Sequence, residues 1–284
     1  ASLVAKQLNY DGTRAADGAF TFAVEAQSNA YGLEWGSQLT AGVRTDTGAT
    51  SGSSVSFTGG VPYVQLPGTS GNTITTPDAA SLDIVGDLDI RINVAANDWT
   101  PAAEQYLFAK YTTTGAQRSY ALTLNTSGAL ILRWSTDGTA TMSASSTADL
   151  SALAAGAKKW LRATIDVNDG GGNHVVNFYT SDNGVTWTQL GATVTTAGTT
   201  SIFASTAVLE IGGNTVGTAS LFAGKFFEGV LMTGIAGTEV AHPVATVSGV
   251  TDATPLTWTV NGTAITTNRT EYGLQAYLQV TGFT

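Results

Sequence analysis

The stretch SLDIVGDLDIRINVAA, Ser81 to Ala96, decides how the chain is to be read. Leu82, Ile84, Leu88, Ile90, Ile92 and Val94 fall on alternate positions, on either side of a shift at Gly86. Alternation with period two is the mark of a strand that buries one face and wets the other. No stretch of comparable length carries the 3.6-residue period of an amphipathic helix.

Working outward, the same pattern recurs. YVQLPG (63–68) precedes it, and QYLFAKY (105–111), SYALTLN (119–125) and ALILRWS (129–135) follow. Thr126-Ser127-Gly128 joins the last two as a hairpin turn. Further strands are expected at KWLRATIDV (159–167), HVVNFYTS (174–181), VTWTQLG (185–191), AVLEIGG (207–213) and GKFFEGVLMTG (224–234). LTWTV (256–260) and TAITT (263–267) flank Asn261-Gly262, which reads as a two-residue hairpin. ADLSALAAGAKKW (148–160) is the one helix-like stretch, cut by Gly156 and long enough for a turn or two. About a dozen strands without intervening helices imply a β-sandwich. No repeat of propeller-blade spacing is visible.

Composition agrees and narrows the chemistry. The 284 residues include 33 Gly and only 12% charged residues, the profile of a turn-rich all-β protein. The net charge of −9 disfavours nucleic acid as a partner. The absence of Cys excludes disulfides, thiolate metal sites and thiol nucleophiles. ASLVAKQLNYDG at the start lacks the apolar run of a signal peptide or membrane helix, so synthesis in a cytoplasm, without membrane association, is expected. Residues 1–58 have little regular pattern apart from AFTFAVEAQ (19–27), and are read as an N-terminal arm or small β element.

TSDNGVTW (180–187) fits the Asp-box pattern through Thr180, Asp182, Gly184, Thr186 and Trp187. In that motif the carboxylate and first hydroxyl hold turn amides, Gly supplies a positive φ and Trp packs under the hairpin. A single copy is turn chemistry rather than a mark of catalysis. No Glu begins the Glu-x-Asp-x-x-Glu pattern of a retaining sandwich glycosidase. The carboxylates at Asp83, Asp87 and Asp89 are read as strand-edge and turn solvation. His174 and His242 sit in no metal-ligand spacing, and NDGGGN (168–173) joins strand to strand, so it is no phosphate cradle. Calcium could be held by loop oxygens such as those of Asp166 and Asp169, without EF-hand spacing. No cofactor or catalytic residue is expected. Trp99, Tyr111, Trp134 and Trp187 are the aromatics able to stack on sugar rings, and Trp99, Tyr111 and Trp134 are the candidate glycan-facing ones.

From about residue 60 to 266 the chain resembles the concanavalin A-like (laminin G-like) domains of structural proteins of tailed bacteriophages, especially those infecting actinobacteria. The resemblance is carried, in order, by YVQLPGTSGNTITTPDAASLDIVGDLDIRINVAANDWTPA, KWLRATIDVNDGGGNHVVNFYTSDNGVTWTQLG, FAGKFFEGVLMTGIAGTEVAHP and LTWTVNGTA. It implies a jelly-roll β-sandwich over 59–267, with a C-terminal extension at 268–284. It also implies a non-enzymatic place on the virion surface, as a capsid decoration or minor capsid protein, oligomeric in the assembly. Its partners would be the major capsid protein or tail proteins. The alternative is a minor tail protein whose sandwich binds host cell-surface polysaccharide. No binding residue carries over from the family.

Overall fold

The computed structural model describes residues 61–246 and 248–262, together with three further strands, Ser53–Ser56, Thr266–Asn268 and Tyr277–Val280. The strand expected at 19–27, and most of the arm and the C-terminal extension, lie outside the described residues.

In chain order the first strands are β1 (Ser53–Ser56), β2 (Tyr63–Pro67), β3 (Ile74–Thr76), β4 (Leu88–Ala96), β5 (Gln105–Thr112), β6 (Gln117–Leu124) and β7 (Ala129–Trp134). Then come β8 (Met142–Asp149), β9 (Lys158–Asp166), β10 (Asn173–Ser181), β11 (Thr188–Gln189), β12 (Val194–Ala197), β13 (Leu209–Ile211) and β14 (Ala223–Thr233). The last are β15 (Thr238–Ala241), β16 (Pro243–Thr246), β17 (Gly249–Asp252), β18 (Thr259–Val260), β19 (Thr266–Asn268) and β20 (Tyr277–Val280).

Two compact units are present. One joins residues 1–61 with 269–284, where β1 and β20 pair antiparallel. The other, Pro62–Asn268, holds the sandwich. Its first sheet runs β11-β10-β9-β4-β14-β16-β17, with β2, β12, β15 and β19 joined at its margins. The second runs β18-β3-β13-β5-β6-β7-β8. All the described pairings are antiparallel, and the chain alternates between sheets: β4 to the first, β5–β8 to the second, β9–β12 back to the first.

One core lies between the sheets. Leu88, Ile90, Ile92 and Val94 of β4 meet Leu161, Ala163, Ile165, Val176 and Phe178 beside them. Phe108, Tyr120, Leu122, Leu132 and Trp134 come from the second sheet. Each of the Leu, Ile, Val and Phe side chains contributes about 1.5–3 kcal/mol on leaving water. The opening alternation therefore sets the inner face, but its first third is not strand. Leu82 ends a 3₁₀ turn, Ala80–Leu82, with its carbonyl accepting from the Tyr120 hydroxyl, and Ile84 is buried before β4 begins. The helix-like stretch 148–160 ends β8 and begins β9, with hydrogen-bonded turns over residues 150–157 between them.

Asn261-Gly262 does not make the expected hairpin. β18 pairs with β3 in one sheet and β19 with β2 in the other. Asn261 is held by β3 instead: its N–H donates to the Thr73 carbonyl and its Nδ2 to Thr75 Oγ1. Gly262, the next residue, has a positive φ of 94°.

Candidate functional site

Because Leu88, Ile90, Ile92 and Val94 face inward, the residues between them face out. The register of the first sheet sets these outward residues in three rows. Asn177, Thr164, Asp89 and Met232 form the first, and Tyr179, Arg162, Arg91 and Val230 the second. Ser181, Trp160, Asn93 and Glu228 form the third.

Asp89 anchors this face. Arg91 and Arg162, opposite one another across β4 and β9, each grip its carboxylate with two nitrogens, Nε donating to Oδ1 (3.2 and 3.0 Å) and Nη2 to Oδ2 (2.8 and 2.8 Å). The Ala236 N–H adds a third donor at 3.0 Å. Burial alone would push the carboxyl up, but the Arg91 and Arg162 hydrogen bonds, the Arg162 charge and the Ala236 N–H outweigh it and hold Asp89 below the ordinary range. Asp89 is thus a fully buried ion-pair centre rather than a strand-edge group solvating a turn. Asp87 does serve a turn, accepting the Val167 N–H, and Asp83 pairs with Lys110.

Trp187 completes the cluster. Its ring lies 5.7 Å from the Arg91 guanidinium and 5.6 Å from that of Arg162, and meets Trp160 edge-on at 6.3 Å. Arg162 also stacks on Tyr179 at 5.0 Å. The Asp-box turn delivers Trp187 to this place, but its atoms differ from the sequence reading. Ser181 Oγ, not Thr180, accepts from the N–H groups of Asn183 and Gly184. Asn183 Oδ1, not Asp182, accepts from Val185 and Thr186. Thr180 is engaged in the β10 ladder, and Asp182 points outward to Lys159. The shift of one residue follows from the strand's pleat, which sends Ser181 to the outer face where the turn closes.

Gly184 has φ +73°, and a Cβ there would stand 2.9 Å from Trp160 Cε2. Gly184→Ala is therefore expected to destabilise by about 1–3 kcal/mol. Urea unfolding monitored by tryptophan fluorescence would check this, and an unchanged midpoint would count against it.

Of the aromatics read as able to stack on sugar, Trp187 lies here and Trp99, Tyr111 and Trp134 are elsewhere. Trp99 and Trp134 are core residues, only 2% and 1% exposed, and neither offers a ring face to a ligand. Trp134 Nε1 donates to Thr200 Oγ1, and its ring meets His174 edge-on at 5.5 Å. Tyr111 lies on the outer face of the second sheet but is closed in by Tyr106, Arg118 and Thr141. On that sheet Glu210 is buried and pushed up to about 7 by desolvation, against the lowering effect of the Gly217 and Val216 N–H groups and the Thr73 side chain. Its carboxyl braces a turn in which Thr215 and Val216 have positive φ.

His174 is buried with Nδ1 against the Gly198 carbonyl. His242 bridges Glu228 (2.8 Å) and Glu239 (3.0 Å). Burial disfavours its charge, but the Glu228 hydrogen bond, the Glu239 and Glu228 charges and the Glu239 hydrogen bond prevail and raise it. A raised imidazole contributes stability in full below its unfolded value near 6.5 and loses it as pH rises through the folded value. His242→Gln is expected to flatten that segment of the stability–pH curve above pH 6.5; a wild-type curve already flat there would contradict it.

Asp166 and Asp169 accept turn amides, Asp169 from Gly171 and Asn173. Among the described residues no group of three His or carboxylate side chains is placed to hold a metal, and no helix is long and apolar enough to cross a membrane.

No family model matches the sequence, and no curated protein does. Solved structures similar to the chain include the native heptameric SAP-like pentraxin of Limulus polyphemus, with 14% identity over 75% of this chain and 96% of that one, TM-score 0.48. The CBM40 of the Ruminococcus gnavus IT-sialidase, bound to α2,3-sialyllactose, has 14% identity over 66% and 92%, TM-score 0.40. Domains LG4-5 of the mouse laminin α1 chain have 14% identity over 77% and 49%, TM-score 0.44. The class of protein, an all-β sandwich of two antiparallel sheets, rests on the strand order and the shared core.

Proposed function

We propose that the chain is a non-enzymatic structural protein of a tailed bacteriophage particle, a decoration or minor capsid protein that displays its sandwich at the virion surface. The observation that supports this reading is the division of labour along the chain. The sandwich forms one unit, Pro62–Asn268, and β1 pairs with β20 in the other. In this reading the terminal unit anchors to capsid or tail proteins, and the sandwich is presented. The perturbed carboxyls at Asp89 and Glu210 are tied into internal hydrogen bonds, which fits a framework role.

A second reading, favoured by the partly buried Trp187 beside two guanidiniums, makes the outer face of the first sheet a glycan-binding surface of a minor tail protein. Cryo-EM of intact particles tests both. Density for the sandwich on the capsid lattice supports the first, density at the tail the second, and absence from particles rejects both.

A further inference from the structure

Arg91 and Arg162 spend the same two nitrogens, Nε and Nη2, on one carboxylate. Two positive charges thus share a single negative one, in a chain whose formal net charge is −9. Among the described residues the Nη1 group of each takes part in no hydrogen bond, and the side chains are 17% and 12% exposed, so water reaches only part of each guanidinium.

Among the described residues, Asp89 is the one carboxylate that contacts either guanidinium. From β9, Lys159 is paired with Asp182 of the Asp-box turn. From β10 the neighbours are the neutral Asn177, Tyr179 and Ser181, and from β14 the apolar Val230 and Met232. Glu228, the remaining carboxylate of the rows, shares His242 with Glu239 and contacts neither guanidinium. Trp187 lies against both guanidiniums, and next along β4 the buried Asn93 Oδ1 has no hydrogen-bond donor among the described residues.

We propose that Arg91, Arg162 and Trp187 form a site for an anionic saccharide, with a pyranose ring stacked on Trp187 and its carboxylate or phosphate group bridging the two Nη1 groups. The proposal rests on the glycan-binding reading of this face and names the chemistry of its ligand. A planar guanidinium donates to oxyanions in a fixed fork, and charge-assisted bonds strengthen where water is partly excluded. Asp89 holds both forks in place before any ligand arrives, so little ordering is left for binding to impose. A pyranose presents C–H groups to an indole face, while the anion answers the unmatched charge. A neutral sugar answers only the first requirement.

The test uses the full chain and isothermal titration with trigalacturonate, its fully methyl-esterified form, mannose 6-phosphate and inorganic phosphate. Trigalacturonate is expected to bind saturably, at least tenfold more tightly than the ester, and more weakly as salt is raised. Mannose 6-phosphate distinguishes a phosphate-bearing sugar from a uronate. Trp187→Ala and Arg91→Lys should each cost roughly tenfold, the latter because charge is kept but the fork is lost. In case either variant is poorly folded, the Trp187 indole N–H resonance of the wild-type protein should shift on titration.

Equal affinity for acid and ester would overturn the proposal while leaving glycan binding intact. Inorganic phosphate binding as tightly as the sugars would also overturn it, as a simple anion site. No binding by any saccharide would overturn it together with the glycan reading of this face. The location of the protein in particles would still decide the capsid reading.

Discussion

Asp89→Ala is expected to lower the unfolding free energy by about 3–5 kcal/mol, because it strands two partly buried guanidiniums without a counter-charge. The three residues form one unit: Arg91 and Arg162 are fixed by Asp89, and Trp187 lies on the guanidiniums that Asp89 fixes. Loss of the carboxylate also frees the Ala236 N–H. Asp89→Asn should be milder, since an amide oxygen still accepts, though it carries no charge. The sign with pH follows from the lowered carboxyl. A depressed folded value contributes stability in full above the unfolded value near 3.8, and that contribution is lost as pH falls through the folded value. The wild-type protein should therefore lose stability steeply in acid, and the Ala variant less so, on chemical denaturation at stepped pH. Parallel acid limbs in the two proteins would show that Asp89 is not the group responsible.

The inner face was legible in the sequence because strand alternation is local. Leu88, Ile90, Ile92 and Val94 announce it, and Leu130, Leu132 and Trp134 repeat it in ALILRW. The same parity places Trp134 in the core, so the signal that corrects its reading as a glycan-facing residue was present. Trp99 had no such signal, since it follows β4 in a loop whose packing depends on the rest of the fold. Asn261-Gly262 shows the opposite failure. The local turn chemistry is real, but sheet membership of the flanking strands is set by partners nearly two hundred residues away.

The outer-face cluster was only half legible. An Arg between Ile90 and Ile92, and another between Leu161 and Ala163, must face out, which period two alone dictates. That they stand opposite one another, and that Asp89 serves both, requires the β4–β9 register. The Asp-box was legible as a turn with Gly184 at positive φ and Trp187 packed beneath. Its atomic roles were not, because one residue of pleat decides whether Thr180 or Ser181 meets the turn amides.

At the other end of β5, Asp78→Ala combined with Asp83→Ala is expected to cost about 3–5 kcal/mol, more than Lys110→Met alone. Lys110 is completely buried, with Nζ 2.7 Å from Asp78 Oδ1, 3.3 Å from Asp83 Oδ1 and donating also to the Ser205 carbonyl. Its partners differ from it: the Asp78 and Asp83 side chains are 31% and 35% exposed. If Lys110 becomes Met, the carboxylates recover water and the Met side chain fills most of the space, so the loss should be about 1–2 kcal/mol. If both carboxylates go, the ammonium stays where water cannot reach it, and the Ser205 carbonyl is its one remaining hydrogen-bonding partner among the described residues. Adding Lys110→Met to the double variant should then restore stability rather than lower it further. Urea unfolding of the four proteins forms the cycle, and a triple variant less stable than the double would show that Lys110 is not held by its charge partners. Recovery would instead mean that the extended segment around Ser205 is fastened to β5 chiefly by this ammonium, whose burial the two aspartates make tolerable.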